Sequence, residues 1–238
     1  MSFSATPRPF FNSVEATALS WCAHRRNRII GALSLALICG LGFTLIGIFN
    51  RERFGLSSAP TAIQAFRLDG QIPFVPGWIW FYLMYYPFCF LPLFLREVRN
   101  HPPIFLRSVV AFLLQFGASF VIFLLWPLRM VHPILPPGLD GRILHGLYGF
   151  DLGFNSFPSL HLSNIVFVTL LFWRLRGRFL GGMVGMGALL IAVSTLLVKQ
   201  HFVSDVVTGA LLGWATFALL FSRAPFENGV CVQVSDLA

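Results

Sequence analysis

Residues 179–221 read FLGGMVGMGALLIAVSTLLVKQHFVSDVVTGALLGWATFALLF. Two apolar runs, 179–198 and 202–221, flank the polar residues Lys199, Gln200 and His201. Each run is close to the roughly 20 residues a helix needs to cross the hydrocarbon of a bilayer. Lipid offers no water to backbone amides and carbonyls, so runs of this length are read as helices. The polar break then marks one membrane face, where the chain turns and goes straight back in.

Four more runs lie upstream, at 29–49, 74–95, 106–126 and 161–173, the last of them short for a full crossing. Composition agrees with a lipid solvent. The 238 residues are 56% hydrophobic and 11% charged, whereas a soluble domain is nearer one quarter charged, and a chain of this size in water could not hide so much apolar side chain. The expected fold is therefore all-α: a polytopic membrane protein with a bundle of six transmembrane helices. Residues 1–28 are expected to form a cytoplasmic N-terminal segment, 29–222 one membrane domain and 223–238 a cytoplasmic tail. The net charge of +8 comes from basic residues flanking the apolar runs, a pattern of orientation and anchoring; no basic stripe with interleaved aromatics suggests nucleic acid. Cys22, Cys39, Cys89 and Cys231 have no paired spacing, so neither a zinc site nor a disulfide framework follows.

Orientation comes from the arginines. Arg8, Arg25, Arg26 and Arg28, then Arg96, Arg99 and Arg107, then Arg174, Arg176 and Arg178, and finally Arg223 fall on one side; Arg51, Arg53, Arg67, Arg129, Arg142 and Lys199 fall on the other. The excess predicts both termini inside, in a membrane read as a bacterial cytoplasmic one. Two long loops, 50–73 and the Pro- and Gly-rich 127–160, are then outside.

Three ionisable residues stand at that outer face. His161 begins the fourth run, and His201 and Asp205 begin the sixth. Ionisable groups next to spanning segments are costly and point to function. His201 and Asp205, four apart, share one helix face at about 6 Å between Cβ atoms. A carboxylate there fixes the imidazole tautomer and raises the basicity of the other ring nitrogen, which makes a nucleophile; His161 is then available to protonate a leaving oxygen. Ser159 reads as the N-cap of the fourth run, and a capped helix start beside two imidazoles suits a phosphate. Taken singly, each of these is an ordinary interfacial polar residue or a helix cap; the combination is what points to catalysis.

Pro158-Ser159-Leu160-His161, followed by Ser194-Thr195, five residues, His201, three residues and Asp205, resembles the type 2 phosphatidic acid phosphatase superfamily, whose usual patterns are PSGH and SR-x5-H-x3-D. Asp69, Ile72-Pro73-Phe74, Pro76 and Tyr82 further resemble the inositol phosphorylceramide synthase branch. The resemblance spans about 69–214. It implies a phosphohistidine formed on His201, with Asp205 orienting that ring, His161 as acid and then base, and Ser159 and nearby amides on phosphate oxygens. It also implies a lipid phosphate as substrate, with an acceptor lipid where the reaction is a transfer, and neither metal nor other cofactor.

Three departures bear on the substrate. The superfamily's first motif, a Lys seven residues before Arg-Pro, is missing, the nearest match being Arg129 with His132-Pro133. Thr195 stands for its Arg, and Leu160 for the Gly of PSGH. Phosphoryl transfer rests on positioning and charge stabilisation, and a monoester with close to two charges needs more cations than a diester with one. The reading therefore leans toward transfer of a phospho-headgroup, such as phosphoinositol, between lipids. The alternative is hydrolysis of phosphatidic acid or an isoprenyl phosphate, with Lys199, Arg129, Arg142 and His145 replacing the lost charges. Ser194 stays a candidate substrate contact through its motif position. Lys199 is equally a snorkelling anchor, and Arg129 and Arg142 are equally solvated loop residues. A transporter is the alternative of another class, set against the absence of an internal repeat and of mid-span charges. A non-catalytic scaffold is set against the retention of all three ionisable residues. Gly181-x3-Gly185 and Gly209-x3-Gly213 suggest close helix packing. The sequence says nothing of oligomeric state.

Overall fold

The computed structural model describes residues 9–55, 68–128, 130–221, 226–227 and 230–231. Among the described residues, five runs are long and apolar enough to cross a membrane: Arg25–Phe54, Pro76–Phe94, Pro102–Leu125, Leu160–Leu197 and Val203–Phe221. The fourth is two limbs. At Gly177 the backbone leaves the helical region, with φ 81° and ψ −178°, a conformation open to a residue without a side chain. The limbs 160–176 and 178–197 fold back on each other. A Cβ on Gly181 would lie 2.6 Å from the Cα of Trp173, and one on Gly185 would lie 3.3 Å from a methyl of Thr169. Partners moving in opposite directions along the chain define an antiparallel hairpin. Among the described residues, six apolar helical segments thus form the bundle. Leu37, Ile38, Leu41 and Leu45 on the first of them are among many large apolar side chains left exposed, as a lipid-facing surface requires.

We number the helices in chain order: α1 (Pro9–Ala23), α2 (Arg25–Phe54), α3 (Ile79–Leu83), α4 (Tyr85–Phe90), α5 (Arg96–Asn100), α6 (Pro102–Leu125), α7 (Leu139–Phe150), α8 (Leu160–Leu197) and α9 (Val203–Phe221). Three features differ from the expectation. The second apolar run is broken, because Pro87 and Pro92 lack the amide a continuous helix needs; it is built from α3, α4 and two 3-10 turns, Pro76–Trp78 and Leu91–Phe94. The 127–160 segment is not all loop, since α7 occupies its middle and buries Gly141, Leu144 and Leu147. The N-terminal segment contains α1, which contacts α2 and α6. Beyond α9, Phe226–Glu227 and Val230–Cys231 pair as a small antiparallel ribbon.

One contact sets the register of the site. The first limb of α8 and α9 run parallel, because the Gly209 Cα abuts the Ser159 carbonyl and Gly213 abuts that of Ser163, so closely that a Cβ on either glycine would collide with the oxygen. The glycine pair therefore serves packing inside the bundle and brings both helix starts to the same end. Gly209→Val should overpack this seam at a cost of about 1–3 kcal/mol. A lowered melting temperature in detergent, with a parallel fall in activity, is the expected result; a variant with unchanged melting would contradict the seam.

Candidate active site

Two helix starts meet at the end of the bundle. Ser159 precedes α8 and is fully buried. Its Oγ accepts from the Leu162 amide at 3.3 Å, its carbonyl accepts from the Ser163 amide, and its own amide donates to the Asp205 carbonyl at 3.1 Å. Ser159 is thus the N-cap expected of it, and it also ties α8 to α9. On the other side, the second limb of α8 ends where the Thr195 carbonyl accepts from the amides of both Gln200 (2.9 Å) and His201 (3.2 Å). Lys199 turns the chain there with a positive φ of 53°, the left-handed geometry that commonly closes a helix.

These supports hold the ionisable trio. His161 Nδ1 lies 3.1 Å from His201 Nε2, although the two residues are forty positions apart. The Asp205 carboxylate stands 3.5 Å behind, its Oδ2 toward His201 Nδ1. Oδ2 also accepts from the Phe202 amide at 3.0 Å, and Oδ1 accepts from the Ser204 hydroxyl at 3.2 Å. The carboxylate is fully buried and accepts from the amide that precedes its own helix, so it cannot swing away without leaving the Phe202 amide and itself unpaired. A ring flanked by a carboxylate on one nitrogen and an imidazole on the other has the arrangement of a nucleophile backed by an orienting group and facing an acid.

His161 is boxed by the second apolar run. The ring centroids of Tyr82 and Tyr85 lie 4.8 Å and 4.1 Å from its own. Asp151, just after α7, accepts from the Gly153 amide at 3.1 Å, which is the turn-capping role its residue type suggests. Burial pushes its carboxyl up from the ordinary range, partly offset by that amide and by the neighbouring His201 ring. Below the histidines a cavity of about 280 Å³ extends between α2, α6 and α7, lined by His161, Asp151, Tyr82, Phe43, Phe112 and other largely apolar residues.

The remaining candidates are placed differently. Ser194 is buried and its Oγ donates to the Ile191 carbonyl in its own helix. Thr195 does the same toward Ala192. The Lys199 ammonium donates to the carbonyls of Ile72 (2.6 Å) and Asp69 (3.3 Å), holding the end of the 50–73 loop. Arg142 and His145 are exposed on α7. Arg129 lies outside the described residues, and neighbouring His132 stacks on Tyr148 at 3.7 Å. Among the described residues no group of three or more His, Cys, Asp or Glu side chains is arranged to hold a metal ion.

Asn164 was missed from the sequence, and Asp69 was singled out there only through the family resemblance. Asn164, three residues after His161, is buried beside the cavity; a polar residue one turn inside an apolar run was a readable signal. Asp69 accepts from the Val203 amide at 2.8 Å, capping α9 from 134 positions away, and no local pattern announces that.

With this geometry in view, the family comparison is specific. The model of the PAP2 superfamily matches residues 136–228. The match takes in Ser159, His161, His201 and Asp205, and starts beyond Arg129 and His132-Pro133, where the superfamily's first motif is missing. No curated protein and no solved structure matches the chain.

Proposed function

We propose that this membrane protein transfers a phospho-headgroup between lipids through a phosphohistidine on His201. His201 Nε2 attacks phosphorus, and the bond from phosphorus to the lipid alcohol oxygen breaks. His161, as imidazolium, gives that oxygen its proton. The now neutral His161 takes the proton of an acceptor hydroxyl, whose oxygen attacks phosphorus and restores His201. Asp205 keeps the Nδ1 proton of His201 in place throughout, so that Nε2 carries the lone pair. The helix-start amides of Leu160 and His161, ahead of the capped pair, are the donors for phosphate oxygens.

The contact between the two imidazoles, with Asp205 behind one of them, carries this reading. At 3.1 Å the nitrogens are too close to hold a phosphorus between them in line, so the rings part as substrate binds. The preference for a diester rests on the scarcity of cations. Thr195 replaces an Arg and turns its hydroxyl into its own helix, while Lys199 is engaged by two carbonyls. The site is read as facing away from the cytoplasm, in line with the arginine distribution, with both termini inside.

Purified protein in vesicles, given either phosphatidic acid or a phosphoinositol-bearing diester lipid with an acceptor alcohol lipid, separates the two reactions. The expected product is the acceptor carrying the headgroup. Rapid phosphate release from phosphatidic acid with no acceptor present would replace the transfer reading with simple hydrolysis.

A further inference from the structure

The end of the bundle away from the histidines carries a second pocket of a different kind. Along α2, Arg28 and Gly47 are separated by about 28 Å, and Gly47 packs against Asn155 near the histidine end. At the Arg28 end, a cavity of about 190 Å³ is bordered by Arg25 and Arg28 of α2 and Arg99 of α5. Its inner wall includes Val98 and Phe105, which also line the far end of the cavity below the histidines. Its outer edge is formed by Ile29 and Phe94, both exposed. The pocket therefore has a basic rim, an apolar wall and an apolar edge on the lipid-facing surface.

Anchoring alone does not account for this arrangement. A snorkelling arginine keeps its head in water, but Arg28 is only 8% exposed. Its Nη1 donates to the carbonyls of Cys22 and Ala23 at the end of α1. Its Nε is sealed without a partner, whereas its Nη2 is not sealed and donates to nothing among the described residues. Among the described residues no carboxylate lines the pocket. Glu97, the acid of α5, pairs with Arg176 at 3.1 Å instead. Three guanidiniums around one cavity repel one another unless an anion joins them. A phosphate supplies the oxygens that guanidinium forks match, and basic pockets between helices at a membrane face hold lipid headgroups in this way. We propose that the pocket among Arg25, Arg28 and Arg99 binds the phosphate headgroup of an anionic phospholipid, in the leaflet opposite the histidines. The acyl chains lie over Ile29 and Phe94, an apolar edge that a free phosphate would leave uncovered. The bound lipid is not consumed; it ties α1, α2 and α5 together.

The test adds phosphatidylglycerol, phosphatidylcholine or inorganic phosphate to the full-length protein in neutral detergent. Saturating phosphatidylglycerol should raise the melting temperature by about 3 °C or more, and the other two by much less. The rise should vanish in Arg25→Gln/Arg99→Gln and persist in His201→Gln. No rise, or one that survives in the arginine variant, overturns the proposal. A rise lost in His201→Gln also overturns it, by placing the lipid at the histidines. An equal rise with inorganic phosphate makes the occupant a free anion, and an equal rise with phosphatidylcholine makes the headgroup charge irrelevant; either result is contrary to the proposal. Wild-type protein gives a second readout that does not depend on a variant folding. Phosphatidylglycerol with a diazirine next to its glycerol should crosslink within residues 25–29 or 93–99, and labelling that spares both segments rejects the site.

Discussion

His201→Gln should abolish turnover of lipid phosphates, with kcat/KM falling by roughly four orders of magnitude or more. The size follows from what is removed. With no nucleophile there is no covalent intermediate, and what remains is binding and electrostatic stabilisation. Glutamine approximates the volume of the buried ring and can still reach toward Asp205, so melting in detergent should stay near that of the wild type. If His161 and His201 act as one unit, as proposed, the double variant His161→Ala/His201→Gln should be scarcely slower than His201→Gln alone. A double variant slower by the product of the two single losses would mean that the rings work independently.

His161→Ala should lower turnover by about 10²- to 10⁴-fold with a lipid alcohol as leaving group, the range for a lost general acid. The loss should shrink sharply when the leaving group is nitrophenol, which departs without a proton. In the proposed mechanism His161 is also the base of the second half-reaction, so the variant should release a burst of nitrophenol and then stall. Stopped-flow absorbance reads both phases. An equal loss for both leaving groups would assign His161 a structural place between Tyr82 and Tyr85 rather than proton transfer.

Much of this was legible in the sequence because lipid imposes simple rules. The apolar run 29–49 lies inside α2, and 202–221 nearly coincides with α9. The position of Gly177 falls in the short arginine-bearing gap between two runs, where a reversal was expected. His161, His201 and Asp205 could be brought together from span order alone, since successive crossings return the chain to the same face. Features that depend on distant partners were hidden. Asp69 caps α9 from across the chain, and Lys199, a candidate phosphate ligand by type, finds carbonyls of residues 69 and 72. Helix α7 was masked by the prolines and glycines around it, although Gly141, Leu144 and Leu147 recur at a spacing of three. The break in the second run was written in Pro87 and Pro92 and was overridden by its length and hydropathy.

The most direct measurement is to catch the covalent bond. His161→Ala, incubated with a nitrophenyl phosphodiester, quenched in alkali to preserve any phosphoramidate and digested, should yield the peptide containing residue 201 with the phospho-headgroup attached to His201 by mass spectrometry. Turnover without an adduct in either the wild type or this variant, or an adduct on any other residue, would contradict nucleophilic attack by His201.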